Sequence, residues 1–405
     1  MHNPQRPVLS VEEARKAILS AVRRLEPETV PILEAVDRIL AESITADRDI
    51  PPLTNAAMDG YAVRGADVAE PGVHLDVIGE VAAGHVPQHA VEPGQAMRIM
   101  TGAPVPQGAD TVIRFEDTHA EEDQVKIVKA YRGGKNVRHA GEDVRAGQVV
   151  LAEGHVLRPQ AIGMLAAVGR PKVAVIRRPR VAILATGDEV VPPDEIPGPG
   201  QIRDANSYTV AAQVRRAGGV PLLLGAARDR EALIQESVRQ ALDKGADFII
   251  TSGGVSVGDF DLVKQVLAAE GEMRFWSLNM KPGRPLAFGV INGVPLLGLP
   301  GNPVAAMIST ELFARPALLK MAGFTTWPCQ TVQARLKEAI ERKDNRRHYL
   351  RVRLEETGAG YEATLTGDQG SGILNSLVQA DGLAIIPEEA DHLPAGSSVE
   401  VRLLR

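Results

Sequence analysis

The strongest constraint on the fold is an alternation of short apolar runs with helical patterns between residues 181 and 321. The runs have almost no polar residues, and they lie at 181–185, 221–224, 248–251 and 296–299. The helical patterns lie at 207–217, 231–243, 261–270 and 304–321. Strands without polar alternation, separated by helices of this length, are typical of a parallel sheet that helices cover on both faces. The sequence therefore predicts an α/β domain over residues 177–327.

The regions on either side of this domain have other patterns. Helical spacing of apolar residues predicts three further helices, at 11–25, 32–40 and 159–168. Ser10 and Glu13 have the spacing of a capping box at the first of these helices, and Pro27 ends it. Strand-like runs separated by Gly and Pro turns lie at 73–78, 97–100, 111–115 and 125–128, and again at 332–336, 349–354, 361–365, 382–386 and 399–403. We expect a β-rich domain before the α/β domain and a small β domain after it.

Composition and charge exclude several classes of protein for this chain. The chain has 405 residues, too many for one ordinary core, and its net charge of −6 and 3% aromatic content argue against a nucleic-acid-binding surface. Cys329 is the only cysteine, which excludes an intramolecular disulfide and a cysteine-cluster metal site. No apolar run has the length of a membrane span, and the first residues lack the apolar core of a secretory signal. We therefore expect a cytoplasmic protein that does not bind a membrane.

Two glycine-rich loops follow predicted strands of the α/β domain. The first runs from 251 to 259 and includes Ser252, Gly253, Gly254, Ser256 and Gly258, and the second contains Pro300, Gly301 and Asn302. Small residues at such positions let backbone N–H groups approach an anion such as a pyrophosphate. The first loop has neither the lysine of a P-loop nor the spacing of a dinucleotide fingerprint. Turn geometry alone is the alternative explanation for the glycines.

Acidic residues collect after the predicted strands. Asp188 and Glu189 follow the first strand, Asp229 the second, and Asp259 the third. Ligands of open parallel sheets bind at the carboxyl ends of the strands, so these carboxylates could share one hard cation such as Mg²⁺ with phosphate oxygens. Any one of them could equally be a solvated loop residue or a helix cap.

Two basic segments suit an oxyanion. Lys281 and Arg284 lie three residues apart in a proline-bounded turn, which would fix their charges. The segment 346–351, which ends at Arg351, adds positive charge at the start of a strand. A chance surface turn and a solvated strand end are the alternatives.

Three loops of the β-rich domain have an unusual composition. They are the segments 55–62, which includes Asp59, 100–106, which includes Thr101, and 141–143, which ends at Asp143. A methionine and an acid in a turn of small residues contribute little to a core, so we interpret 55–62 as a functional turn. Each loop alone could be an ordinary turn, but a shared surface is expected because all three belong to one domain.

Together these motifs resemble the MoeA family of molybdopterin molybdenumtransferases, to which the E domain of gephyrin is related. The matching segments occur in family order between residues 55 and 303: 55–62, 100–104, 141–143, 186–189, 252–259, 281–285 and 300–303. The resemblance implies a multidomain α/β plus β fold with a central parallel sheet domain like MogA and MoaB and a small C-terminal β-barrel-like domain. It divides the chain into a discontinuous elongated domain (1–50 and 144–176), a β-rich domain (51–143), the α/β molybdopterin-binding domain (177–327) and the C-terminal domain (328–405).

The resemblance also implies a reaction and an assembly. Molybdate reacts with adenylylated molybdopterin, the pterin takes up molybdenum, and AMP leaves with the help of Mg²⁺ or a similar divalent cation. The protein would be a homodimer that transiently contacts a molybdopterin adenylyltransferase. Since the pterin brings its own sulfur atoms, one cysteine is no objection.

Residue roles follow from the same resemblance. Asp188, Glu189, Asp229 and Asp259 would handle the metal and the pyrophosphate, and the two glycine-rich loops would line the substrate site. Lys281 and Arg284 would hold molybdate, helped by Arg351 and Ser371. Asp59, Thr101 and Asp143 would reach the site from the second domain and take part in catalysis, as would Glu189, Asp259 and Lys281.

Two other functions remain open at this level. The α/β domain also resembles molybdopterin adenylyltransferases of the MogA type, although the additional domains and the Lys281 turn favour molybdenum insertion. A scaffold that retains the fold for protein assembly, as gephyrin partly does, is the other alternative. A scaffold would tolerate the loss of acids such as Asp59 and Asp259, and both are present.

Overall fold

The computed structural model describes residues 8–227, 230–253, 271–342 and 344–404. The chain forms two compact units: the first comprises Met1–Thr29, Asp37–Ile39 and Ala174–Arg405, and the second comprises Val30–Val36 and Leu40–Val173. The chain passes from one unit to the other within strands Pro27–Pro31 and Lys172–Ile176 and again on either side of Asp37–Ile39. The finer division into four domains stays a prediction.

The first unit is built on a seven-stranded sheet. Its strands, in spatial order, are Val8–Leu9, Gly271–Leu278, Pro285–Ile291, Val294–Leu299, Phe248–Ser252, Arg180–Thr186 and Val220–Ala227. The last four are the predicted strands of the α/β domain, and they pair in parallel as predicted. Strand Gly271–Leu278 was not predicted, and strand Pro285–Ile291, which follows the basic turn, runs antiparallel to both of its neighbours. The sheet is therefore mixed, with its parallel half where the glycine-rich loops begin.

The helices of the first unit agree with the predictions in position but not always in length. They are Val11–Ala21, Asn206–Arg216, Glu231–Asp243, and a continuous run of α-helix Pro303–Ser309, π-helix Thr310–Ala314 and α-helix Arg315–Met321. The capping box of Ser10 and Glu13 is present. The first helix ends at Ala21 rather than Leu25, because the chain turns to an extended conformation and the Leu25 N–H donates to the Met321 carbonyl oxygen. The helix predicted at 261–270 lies outside the described residues.

Helix Glu231–Asp243 covers one side of the parallel strands. The apolar core there includes Leu184 and Ile249 from the strands and Ile234 and Val238 from the helix, all at most 2% exposed. Burial of aliphatic side chains on this scale is the main stabilising contribution to such a layer. This core fixes the strand ends that carry the predicted site residues.

The C-terminal part of the first unit is a closed barrel. Five strands, Thr331–Leu336, Arg347–Thr357, Gly360–Leu365, Gly382–Ile386 and Ser398–Leu403, form a complete ring of pairings. The short helix Leu374–Val378 lies between two of them in the sequence. Strand Met280–Lys281 pairs in parallel with the start of Arg347–Thr357, so the predicted basic turn is attached to the barrel wall. The expected small β-barrel-like domain is confirmed.

The second unit contains a six-stranded sheet in the order Thr111–Arg114, Gly60–Val63, Gln95–Ile99, His74–Val81, Gln124–Ile127 and Thr118–Ala120, together with helix Pro159–Ala167. The segment 55–62 was wrongly interpreted as a turn throughout, because its second half enters the buried strand Gly60–Val63. Tyr61 and Ala62 pack into cores on opposite faces of the sheet. The helix expected at 32–40 is also wrong: only the 3₁₀ turn Ile32–Ala35 forms, and Asp37 adopts a positive φ of 61°.

Short strand pairs complete the structure: Asn55–Ala56 with Val137–Arg138, Ile44–Thr45 with Val149–Leu151, Val190–Val191 with Ile202–Arg203, and Ile340–Glu341 with His392–Leu393. Within the described ranges, no helix is both long enough and apolar enough to cross a bilayer.

Candidate active site

Four strand ends of the parallel half-sheet meet at one edge. The Gly187 N–H donates to the Ala227 carbonyl oxygen at 3.2 Å, and the Gly253 N–H donates to the Leu299 carbonyl oxygen at 3.2 Å. The chain therefore leaves neighbouring strands side by side, at the edge where open α/β sheets bind their ligands.

Gly253 is required by this close approach. Its φ is +91°, and a Cβ atom there would lie 2.4 Å from the Thr186 carbonyl oxygen. Its Cα also lies close to Gly301, where an added Cβ would be 3.6 Å away. The two glycine-rich loops thus contact each other without intervening side chains, which leaves their backbone accessible to a ligand.

The acidic loop after strand Arg180–Thr186 is described in full. Asp188 and Glu189 are both exposed. The Glu189 carboxylate folds back over the loop, since a Cβ on Gly187 would lie 2.5 Å from Glu189 Oε2. Both carboxylates are hard oxygen donors of the kind that Mg²⁺ prefers.

Several predicted site residues lie outside the described residues: Asp229, Gly254, Ser256, Gly258 and Asp259. Among the residues that are described, no three acidic, histidine or cysteine side chains form a cluster that could hold a metal ion. The predicted metal set stays a prediction, because two of its four members are not described.

A cavity of about 680 Å³ opens next to the second glycine-rich loop. Its wall includes six of the residues predicted to bind substrate, namely Lys281, Arg284, Pro300, Asn302, Arg351 and Ser371. The α/β sheet supplies one side of this cavity and the barrel supplies the other. The structure thereby brings together residues that are up to 90 positions apart in the sequence.

The basic turn is held rigidly at the cavity. The Leu278 N–H donates to the Arg284 carbonyl oxygen at 2.6 Å, and Lys281 is the strand partner of His348. Gly283 has a φ of +98°, and a Cβ there would lie 3.0 Å from the buried Ser309 hydroxyl. The Lys281 side chain is half-exposed, and within the described part of the chain Arg284 makes no ion pair with a carboxylate. Two cations carried on a turn with an anchored backbone therefore line the cavity.

Arg351 has a different environment from the one predicted. Its side chain is 0% exposed, and its guanidinium donates to the carbonyl oxygens of Asp368, Gln369 and Gly370 and to the Ser376 hydroxyl, at 2.9–3.1 Å. Burial lowers the pKa of this guanidinium, which nevertheless stays charged. All three of its nitrogens already have protein acceptors, so Arg351 supports the cavity wall, and a direct contact with molybdate stays a prediction.

The loop that Arg351 holds was only partly identified from the sequence. Ser371 was predicted, and its carbonyl oxygen accepts a hydrogen bond from the Val304 N–H at 3.1 Å. Asp368, Gln369 and Gly370, which also line the cavity, were missed. The glycine-rich composition of 367–372 was a signal for this loop, of the same kind that identified the other two.

In the second unit the structure brings together two of the three predicted residues. Asp59 Oδ1 accepts hydrogen bonds from both the backbone N–H and the hydroxyl of Thr101, each at 2.7 Å. These bonds hold the pKa of the Asp59 carboxyl below its usual value. Asp143 is exposed in a separate turn, where its N–H donates to the Ile50 carbonyl oxygen at 3.0 Å.

Three models of known protein families together match most of the chain. Models of the MoeA N-terminal region (domain I and II), a probable molybdopterin binding domain and the MoeA C-terminal region (domain IV) match residues 9–169, 182–320 and 333–404. A Nostoc sp. protein named molybdopterin molybdenumtransferase is 38% identical over 98% of this chain and 94% of its own length. Molybdopterin molybdenumtransferase 2 of Mycobacterium tuberculosis is 36% identical over 97% of this chain and 98% of its own length.

A solved structure agrees with these relatives. The crystal structure of a molybdopterin biosynthesis MoeA protein from Pyrococcus horikoshii matches with a TM-score of 0.84 and 35% identity, over 98% of this chain and 99% of that one. The chain therefore belongs to the MoeA family.

Proposed function

We propose that this protein is a molybdopterin molybdenumtransferase, which transfers molybdenum from molybdate to a molybdopterin substrate. Relatives with that name match the chain over nearly its full length. The observation that carries the proposal is the cavity of about 680 Å³ that Lys281 and Arg284 line from one anchored turn. Such a site suits a small oxyanion, because fixed cations bind it without reorganisation.

The substrate in this proposal is adenylylated molybdopterin, and AMP leaves as molybdenum is taken up. The glycine-rich loop at Gly301 would supply backbone N–H donors for the pyrophosphate. The first loop is added on sequence grounds, because the Gly253 N–H already donates to the Leu299 carbonyl oxygen. Lys281 and Arg284 hold the molybdate beside it, and the loop supported by Arg351 closes the other side. Asp59 and Asp143 remain candidates for catalysis because each carries a carboxylate. The hydrogen bonds from Thr101 keep the Asp59 carboxylate ionised.

Mg²⁺ fits the donor chemistry of the acidic loop. Asp188 and Glu189 would hold it through carboxylate oxygens, with Asp229 and Asp259 added on sequence grounds. The cation would neutralise charge on the pyrophosphate. We further propose that the protein forms a homodimer. It transiently contacts the adenylyltransferase that supplies the substrate.

The test measures AMP release from adenylylated molybdopterin. We expect release only when both molybdate and Mg²⁺ are present. Folded protein that releases no AMP under these conditions would refute the proposal. Incubation with ATP and unmodified molybdopterin tests the adenylyltransferase alternative, for which we expect no product.

A substitution at the basic turn tests the oxyanion role separately. Lys281→Ala should raise the molybdate concentration needed for half-maximal AMP release at least tenfold and leave pterin binding nearly unchanged. Lys337→Ala is the matched control, because Lys337 forms surface ion pairs elsewhere on the barrel. Equal loss of molybdate use and pterin binding in Lys281→Ala would contradict the assigned role.

A further inference from the structure

A group of polar side chains lies against the Lys281 side of the cavity and has no part in the proposed reaction so far. Asp344 is at its centre: Oδ1 is 2.8 Å from His348 Nε2, and Oδ2 accepts a hydrogen bond from the Arg346 guanidinium. Lys281 Nζ lies 4.0 Å from the same Oδ2. One carboxylate is thus shared among three nitrogen-bearing side chains, each of which lines the cavity.

The backbone keeps this group in register. Lys281 and His348 are direct partners in a parallel strand pair. The guanidinium of Arg342, whose side chain is buried, donates to the Arg346 carbonyl oxygen and fixes the loop that carries Asp344. The distance between the Asp344 carboxylate and the Lys281 ammonium is therefore set by two anchored segments.

The charges of the group follow from its contacts. The hydrogen bond from Arg346, helped by His348, holds the pKa of the Asp344 carboxyl far below its usual range, so it is ionised. Burial lowers the pKa of His348 despite the nearby carboxylate, so the ring is neutral near pH 7. As a neutral ring it donates to Asp344 through Nε2–H. Asp344 is then the only charge in the group that opposes an incoming anion.

We propose, on the basis of the proposed function, that Asp344 is a positioning residue that sets the affinity of the cavity for molybdate by neutralising part of the charge of Lys281. At 4.0 Å the carboxylate attracts the ammonium without a direct hydrogen bond, which leaves the Lys281 N–H donors free for an oxyanion. The same carboxylate repels a tetrahedral dianion. Molybdate is consequently held loosely enough to be passed to the pterin.

The test is the dissociation constant for molybdate, measured on the full chain by equilibrium dialysis at low ionic strength. When the Lys281 ammonium binds an oxyanion, it gives up its attraction to a carboxylate about 4 Å away. In a water-like dielectric that attraction is worth about 1 kcal/mol, which corresponds to about fivefold in affinity. Asp344→Asn should therefore bind molybdate about fivefold more tightly. Damage to the structure would weaken binding, so the direction of the change separates the two explanations.

Two further variants isolate the effect. Glu355→Gln removes a carboxylate from another lysine ion pair of the barrel, to Lys337 at 2.7 Å, and should leave the dissociation constant unchanged. In a Lys281→Gln background, Asp344→Asn should tighten binding clearly less than in the wild-type background, because only the direct repulsion between the carboxylate and the dianion is then removed.

An unchanged or raised dissociation constant in folded Asp344→Asn overturns the proposal. Asp344→Ser, measured in the same way, replaces the asparagine variant if that protein does not fold. Failure of this proposal can be distinguished from failure of the proposed function. Wild-type protein that binds molybdate but releases no AMP refutes the reaction. The dissociation constants of the variants then still decide the role of Asp344. Wild-type protein that binds no molybdate overturns both.

Discussion

Arg351→Met should loosen the attachment of the loop 367–372 to the barrel, although the Gln369 side chain still bonds the Arg351 backbone. The guanidinium of Arg351 is the hydrogen-bond donor for three consecutive carbonyl oxygens of this loop, at Asp368, Gln369 and Gly370. Methionine fills much of the same volume but donates no hydrogen bond. The carbonyl groups of Asp368 and Gln369 therefore lose their partner, while that of Gly370 keeps the Ile373 N–H. The loop forms part of the cavity wall, and we expect both stability and molybdate use to suffer.

The magnitude follows from the number of acceptors left without a partner. Leaving one buried polar group unpaired costs roughly 1–3 kcal/mol. The loop is partly exposed, and water can replace some of the lost bonds, so we take the lower value for each carbonyl. With two carbonyl groups left unpaired, the free energy of unfolding should then fall by about 2 kcal/mol. Arg351→Lys keeps the charge but not the planar fork, and its loss should be about half as large.

Hydrogen exchange combined with urea denaturation is the appropriate assay. In Arg351→Met, the amides of 367–372 should exchange faster, while those of the Arg180–Thr186 strand keep their protection. Arg353→Met is the matched control, since Arg353 lies on the same strand but is exposed. Unchanged exchange in this loop, together with unchanged unfolding, would refute the structural role of the guanidinium.

The structure predicts the effects of three further substitutions. Gly283→Ala should lower both Tm and molybdate-dependent AMP release, because φ is +98° and the added Cβ would lie 3.0 Å from the buried Ser309 hydroxyl. Wild-type values of Tm and of AMP release would contradict this prediction. Thr101→Val should raise the pKa of Asp59 only part of the way to its ordinary value, because the backbone hydrogen bond remains; an NMR titration that shows no change would refute the contact. Asp247→Asn should lower the free energy of unfolding by about 2 kcal/mol in urea denaturation, since Arg177 loses a bidentate, largely buried partner. A change below about 0.5 kcal/mol would contradict this value.

The sequence predicts much of this fold because local patterns and tertiary structure agree over most of the chain. Helix Glu231–Asp243 has the predicted bounds, and the strand patterns after residue 327 all appear in the closed barrel. The first helix is shorter than predicted because a tertiary hydrogen bond at Leu25 competes with continued helix. The antiparallel pairing of strand Pro285–Ile291 was not predicted, although Asn292-Gly293, with positive φ at both residues, is a recognisable hairpin turn.

The candidate site was predictable in composition but not in arrangement. The spacing of Lys281 and Arg284 in a proline-bounded turn indicated an oxyanion site, and both line the cavity. Burial is a tertiary property, so nothing in the sequence separates Arg351, which is inaccessible to solvent, from the exposed Arg284. The link between Asp344 and Lys281 was invisible for the same reason, since 63 positions separate two residues that strand pairing brings together.

The central claim is that molybdate binds between the basic turn and the barrel. Crystals of the protein soaked in molybdate, with diffraction recorded at the molybdenum absorption edge, locate the metal directly through its anomalous signal. We predict one strong peak within hydrogen-bonding reach of the Lys281 ammonium and the Arg284 guanidinium. A peak elsewhere on the molecule, with this cavity empty or filled by side chains, would contradict it.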